Sequence, residues 1–293
     1  MLVNGCDCSI VIRTDHGQMD IPYSDETVRE AVTLLEEEGA IEGDGVCKAL
    51  SKNNGVTGCI ITPLTINSAP FLLCLAMGPM GKSVFVSGTR NLYKYNINLV
   101  PLEDTGQFDL IQDRQGKNEK GEGKSDYGKL YPGCRVKSFE LRILRDEAIK
   151  LGLDITSEQA PVVYPYAASF VGETGERFSG DNVTYRIRGK EYKNIYGVTL
   201  ITKKEGWTKT ELLIKRATEQ GPDLPRIIDE IIITAKLLRD KYECRHYGTF
   251  RIFMRKLLLI SDETNVNSAD TVIGPLRYFV AGKVTAEVFT NDK

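Results

Sequence analysis

Along most of this chain apolar residues alternate with polar ones, and period-two alternation is the mark of half-buried strands. Leu92–Val100 is the clearest case, with Tyr93, Tyr95, Ile97 and Leu99 separated by polar residues. Val56–Pro63 also reads as a strand. Arg135–Leu144 carries Val136, Phe139, Leu141 and Ile143, turns at Arg145-Asp146-Glu147-Ala148, and returns as Ile149–Thr156 with Ile149, Leu151, Leu153 and Ile155 on one face. These two segments predict a hairpin with Val136, Phe139, Leu141, Leu151 and Leu153 in the core. Later strands are expected at Val183–Ile187, Gly197–Thr202, Ile231–Leu238, Phe250–Ile260 and Leu276–Thr290.

Two segments read as helices. Glu26–Ala40 places Val28, Ala31, Val32 and Leu35 at helical spacing, with Ser24 or Asp25 as cap and Gly39 as stop. Asn67–Met77 has an entry at Ser68-Ala69-Pro70 and is halted by Gly78-Pro79. The predicted fold class is mainly β with a few helices. Short strands with regular turn signals favour a sandwich or barrel over a parallel sheet.

One stretch breaks the alternation. Asp113–Lys129 (DRQGKNEKGEGKSDYGK) holds charges of both signs, four glycines and Tyr127 as its one large apolar group. Such a segment cannot form a core and is expected as a loop or arm outside it. Its charged and aromatic groups, Asp113, Arg114, Lys117, Glu119, Lys120, Glu122, Lys124, Asp126, Tyr127 and Lys129, are the candidate contacts to a neighbouring subunit.

Charge and composition then narrow the function. The 293 residues carry 38 basic and 40 acidic groups, a net charge of −2 without a basic stripe, which argues against a tight grip on phosphates. Met1–Cys8 lacks the basic and apolar regions of a signal peptide. The longest apolar run, around Phe71–Met80, is half of the ~20 residues needed to span a bilayer. The expectation is a soluble protein made in the cytoplasm, without membrane insertion.

No catalytic constellation emerges. The seven cysteines are scattered without metal-site spacing, so buried reduced thiols are expected, with Cys6 and Cys8 on one face of any strand there. Ala76–Ser83 ends in Gly-Lys-Ser like a phosphate-binding loop but lacks its first glycine and leaves a helix instead of a strand. The two histidines are His16 and His246; the latter, near Glu243 and Cys244, reads as part of a turn. Glu36-Glu37-Glu38 fans around a helix end, and Asn182-Val183-Thr184 matches a glycosylation site in sequence only. No enzyme activity, cofactor or metal is expected.

Two stretches together resemble the tail-tube (major tail) proteins of long-tailed bacteriophages and related contractile tails. The first is Gly55–Val100: Gly-Val-Thr-Gly-Cys-Ile-Ile-Thr-Pro, then Phe71–Gly78, then the strand through Tyr93 and Tyr95. It is similar to that family's order of strand, short helix and aromatic strand. The second, Gly133–Phe139 with its returning strand to Thr156, is similar to the family's hairpin. The resemblance covers roughly residues 50–160. It implies one β-sandwich domain over 1–293 flanked by a helix, with an N-terminal extension of about 1–50 and 113–129 as the assembly loop. It further implies six-membered rings stacked into a hollow tube in the virion tail, with copies of itself, a sheath or other tail proteins as partners and DNA passing through the lumen without tight binding. The alternatives are another viral structural part (capsid or connector), or a repeating RNA-binding backbone subunit of an RNA-guided complex. The latter would use Arg186, Arg188, Lys190 and Lys193 beside Tyr192 and Tyr196.

Overall fold

The computed structural model describes residues 8–15, 17–35, 50–87, 92–117, 123–164, 175–217, 223–237, 248–262 and 272–291. These residues form nineteen strands and one α-helix. In chain order they are β1 (Cys8–Thr14), β2 (Gly17–Asp20), β3 (Asp25–Glu26), β4 (Arg29–Leu35), β5 (Leu50–Pro63), α1 (Ser68–Met77), β6 (Val84–Phe85), β7 (Leu92–Asn98), β8 (Phe108–Lys117) and β9 (Gly123–Leu144). There follow β10 (Lys150–Ser157), β11 (Val162–Tyr164), β12 (Val183–Ile187), β13 (Lys190–Glu191), β14 (Ile195–Lys203), β15 (Lys209–Ala217), β16 (Ile227–Lys236), β17 (Thr249–Asp262), β18 (Val272–Val280) and β19 (Val284–Asn291). The chain is mainly β, as its alternation predicts.

Contacts divide it into two compact units rather than one domain with an extension. The first comprises residues 1–60, 107–135 and 154–172; the second comprises 61–106, 136–153 and 173–293. The described residues among the first 50 are not an appendage. β1 is an inner strand of the first unit, antiparallel to β2 on one side and β8 on the other. Its Ile10, Val11 and Ile12 are buried. β8 continues the sheet to β9, and β9 to β11.

Two expectations are corrected in this unit. The predicted helix at Glu26–Ala40 is extended where described, with β4 pairing antiparallel to β5 and Thr27 exchanging hydrogen bonds with the backbone of Cys59. Helical spacing of apolar residues is a local signal, and a long-range ladder overrides it. The segment 113–129 is not an irregular loop either. Its described residues continue the β8–β9 ladder, with Gln112 opposite Lys129, Arg114 opposite Tyr127 and Lys117 opposite Gly123. β1 reaches alongside as far as Arg114. Backbone pairing thus extends the strands through a polar sequence that lacks apolar alternation. Glu119, Lys120 and Glu122 lie outside the described residues.

A polar chain crosses the first unit's interior. Tyr131 donates to the Gln112 side chain, Gln112 donates to Glu26 at 2.6 Å, and the other oxygen of Glu26 accepts the Val28 amide. Nearby, Nε and Nη2 of Arg13 both meet Oδ2 of Asp109, whose Oδ1 accepts the Gly133 amide.

The second unit is built around β17, which changes neighbours part-way along. Phe250–Met254 pair with β19, and β19 continues to β7 and β6. Leu257–Asp262 pair instead with β18, followed by β15, β14 and β9. On its other flank β17 keeps β16, and β16 carries β12. The switch occurs at Lys256, whose φ is +53°. There the turn joining β18 to β19 crosses β17, with the Ala281 amide on the Lys256 carbonyl and the Gly282 amide on that of Arg255. This turn also divides the single strand expected at Leu276–Thr290 into two.

α1 packs against β7 and β19, and Phe178 meets Phe250 edge-to-face at 4.9 Å in the core. Val136, Phe139, Leu141, Leu151 and Leu153 are all buried.

Candidate assembly surfaces

Directly opposed residues in antiparallel strands share a face, so register shows which side chains line up across a sheet. In β14 the inward positions are Val198, Leu200 and Thr202, leaving Thr199, Ile201 and Lys203 outward. Ile201 lies between Glu140 of β9 and Glu211 of β15; Glu211 faces Phe279, Phe279 faces Leu258, and Leu258 faces Ile227. One outward row therefore crosses six strands, from a carboxylate to an isoleucine. Its far end is apolar and open to water: Leu258 is 44% exposed and Ile227 55%, with Ile260 beside them at 53%.

The kink at Lys256 creates this exposure. Before it, Phe250, Ile252 and Met254 point inward; after it, Leu257 does, which turns Leu258 and Ile260 outward. β16 shifts phase at the same level, with Ile231 and Ile233 inward, then Ile228, and Ile227 outward. Charged groups flank the row. Lys209 meets Glu211 at 2.6 Å, Arg277 approaches the same carboxylate at 3.9 Å, Arg188 meets Asp229 and Arg255 meets Glu230. Pairs this exposed contribute little stability. An apolar strip with a charged margin is the anatomy of a contact surface.

At one end of β14 the hairpin to β15 is held by a buried lysine. Lys204 is 1% exposed; its ammonium donates to the Met77 carbonyl, its amide donates to the Lys137 carbonyl, and Phe139's ring lies 6.0 Å from its nitrogen. Burial pushes its pKa down to about 8. Beneath the hairpin the hydroxyls of Thr202 and Thr210 bond to each other. At the apex Trp207 is 70% exposed.

The chain matches no protein-family model and no curated protein.

Other sequence-marked residues fall as follows. Gly78–Ser83 follows the C-terminus of α1 and runs into β6, so no helix N-terminus is aimed at a phosphate there. Arg186, Arg188, Lys190 and Lys193 are exposed, while Tyr192 and Tyr196 are half-buried. They do not converge on a basic groove: Arg188 pairs with Asp229, Glu191 intervenes, and Tyr196 carries the guanidinium of Arg145 at 6.0 Å. Burial pushes the thiols of Cys74 and Cys134 up to about 12, the behaviour of inert core cysteines. Cys6, His16, Cys47, Glu243, Cys244 and His246 lie outside the described residues. Among the described residues no group of three or more His, Cys, Asp or Glu could hold a metal ion, and no helix is long and apolar enough to cross a membrane. Asp113, Arg114, Lys117, Lys124, Asp126 and Tyr127 belong to the β8–β9 strands, and Lys129 reaches Glu30 at 2.7 Å.

Sequence reasoning missed the outward row, Lys204 and Trp207. A sole tryptophan beside Gly206 between charged residues was the available signal for the apex. The row leaves no such trace, because its members come from six separate segments.

Proposed function

We propose that this protein is a structural subunit that assembles with copies of itself into rings stacked as a hollow tube, like the phage tail-tube proteins that its sequence resembles. The observation that carries the proposal is the open apolar end of the outward row, Ile227, Leu258 and Ile260. Three large apolar side chains side by side on strands of a well-packed unit are costly in water and are stabilised by burial against another surface. The succession of β5, α1 and the aromatic strand β7, with α1 lying on β7, accords with the resemblance. In this reading the end of the β8–β9 hairpin is the arm between successive rings, and a sheath or other tail proteins are further partners. DNA then passes through the lumen without being held, and the protein resides in the virion tail.

Electron microscopy of the purified, concentrated chain tests this. Rings with a central hole, or tubes, are expected. Leu258→Asp is expected to leave a folded chain that no longer assembles, and closing the hairpin with a tight turn in place of residues 117–123 to leave rings that do not stack. A wild-type chain that stays monomeric at high concentration and binds RNA stoichiometrically would replace the proposal with the RNA-backbone alternative.

A further inference from the structure

We infer that the apex of the β14–β15 hairpin, centred on Trp207, docks head-to-tail on the Arg145–Ala148 turn of a second copy of this chain. The inference rests on the self-assembly reading above and names one of its contacts.

Trp207 is the protein's sole tryptophan and presents most of its indole to water. Exposed tryptophans on rigid supports are the residues that most often anchor contacts between chains. The support here is rigid. Gly206 takes φ +75°, the Trp207 amide bonds to the Glu205 carbonyl at 3.0 Å, and Lys204 is tied down at both its amide and its ammonium. A buried ammonium is a poor way to stabilise a core, so its presence under the apex marks the tip as a built feature. A tip already held in place loses little further freedom on binding.

The tip is basic. Lys203 and Lys209 face each other directly across the ladder, an arrangement that repels. Lys209 leans to Glu211 and Lys137 to Glu205, while Lys203 has no acidic partner among the described residues.

From this tip, β14 and β9 run together to the unit's other end, from the Lys203–Ser138 pair to the Gly197–Leu144 pair, about 20 Å away. That end presents three carboxylates. Asp146, Glu147 and Asp181 are exposed together, with the Asp146 amide bonded to the Asp181 carboxylate. Cations stand beside them: Lys193 is exposed, and Arg145, also exposed, lies over the Tyr196 ring and donates to the Lys193 carbonyl. Complementary surfaces at opposite ends of one unit make a heterologous contact, which repeats from copy to copy along a line.

Because Trp207 is alone, the fluorescence of the unlabelled chain reports its surroundings. In assembled wild-type particles separated by sedimentation, its emission is expected to shift to the blue and its quenching by acrylamide to fall several-fold relative to dispersed chains. Trp207→Ala is expected to lower the assembled fraction about tenfold, the effect of losing an ordinary anchor. Glu147→Lys and Lys203→Glu, both exposed and checked for folding by circular dichroism, should each weaken assembly, and together restore it. Particles whose tryptophan is quenched as freely as in dispersed chains would overturn the contact and leave self-assembly standing. So would charge reversals that fail to rescue each other. Absence of any wild-type assembly would overturn both. Quenching by an added single-stranded oligonucleotide, without assembly, would assign the tip to nucleic acid instead.

Discussion

The ammonium of Lys204 lies 3.4 Å from the carbonyl oxygen of Met77, the last residue of α1, so a buried cation sits at the negative end of a helix. The attraction is real but incomplete compensation: burial holds the pKa at about 8, against 10.5 for a free lysine.

That shift fixes how stability should vary with pH. The unfolded chain holds this proton more tightly than the folded one, so the cost of charging Lys204 is fully present below pH 8. It is relieved as pH rises from about 8 to 10.5 and is absent above. The magnitude is on the order of 3 kcal/mol. Lys204→Met is expected to raise stability at pH 7 and to flatten the rise across that window, relative to wild type, in urea titrations at stepped pH. A mutant curve parallel to the wild-type curve would show that Lys204 is not the group responsible.

Gly282 is where a side chain cannot be added. A Cβ there would stand 2.4 Å from the Arg255 carbonyl oxygen. Gly282→Ala should cost about 2 kcal/mol or more, since the clash is with backbone. Thermal unfolding of the variant within a degree of wild type would contradict the close crossing of the β18–β19 turn over β17.

Leu151 and Phe139 belong to buried faces of the β9 and β10 strands. Leu151→Ala is expected to cost about 2–5 kcal/mol, and an aspartate at either position to prevent folding. Soluble, cooperative unfolding of Phe139→Asp near the wild-type temperature would refute the inward register.

Tyr131→Phe tests the polar chain of the first unit. It leaves the Gln112 oxygen without its donor in a buried place, for an expected loss of about 1–3 kcal/mol. Gln112→Leu alone would likewise strip a partner from Glu26, and a double-mutant cycle between positions 112 and 131 should show non-additive coupling.

What could be read from the sequence divides along physical lines. β7 and β12 were legible because alternation is carried within each strand: Tyr93 to Ile97, and Val183 to Ile187. α1 was legible because Ser68-Ala69-Pro70 and Gly78-Pro79 punctuate it. β4 was not, since Val28, Ala31, Val32 and Leu35 satisfy a helical period and only the partner strand β5 decides against it. The 113–129 segment has no apolar alternation to betray its strands; they are imposed by pairing with β1 and with each other. The outward row from Glu140 to Ile227 was beyond reach because it exists only once five ladders are in register, and a shift of one residue in any of them would turn it inward.

The bend at Lys256 also bears on how the second unit comes apart. Because the first half of β17 hydrogen-bonds to β19 and its second half to β18, no cut between strands separates one group of ladders from the other without breaking β17 itself. Amide protons in Phe250–Met254 and Leu257–Leu259 should therefore exchange with solvent in a single cooperative opening, at rates set by unfolding of the entire unit. The pairing of residues as distant in sequence as Leu92 and Asn291 must be complete before that protection appears, which makes the unit a slow folder and, once folded, a slow one to open.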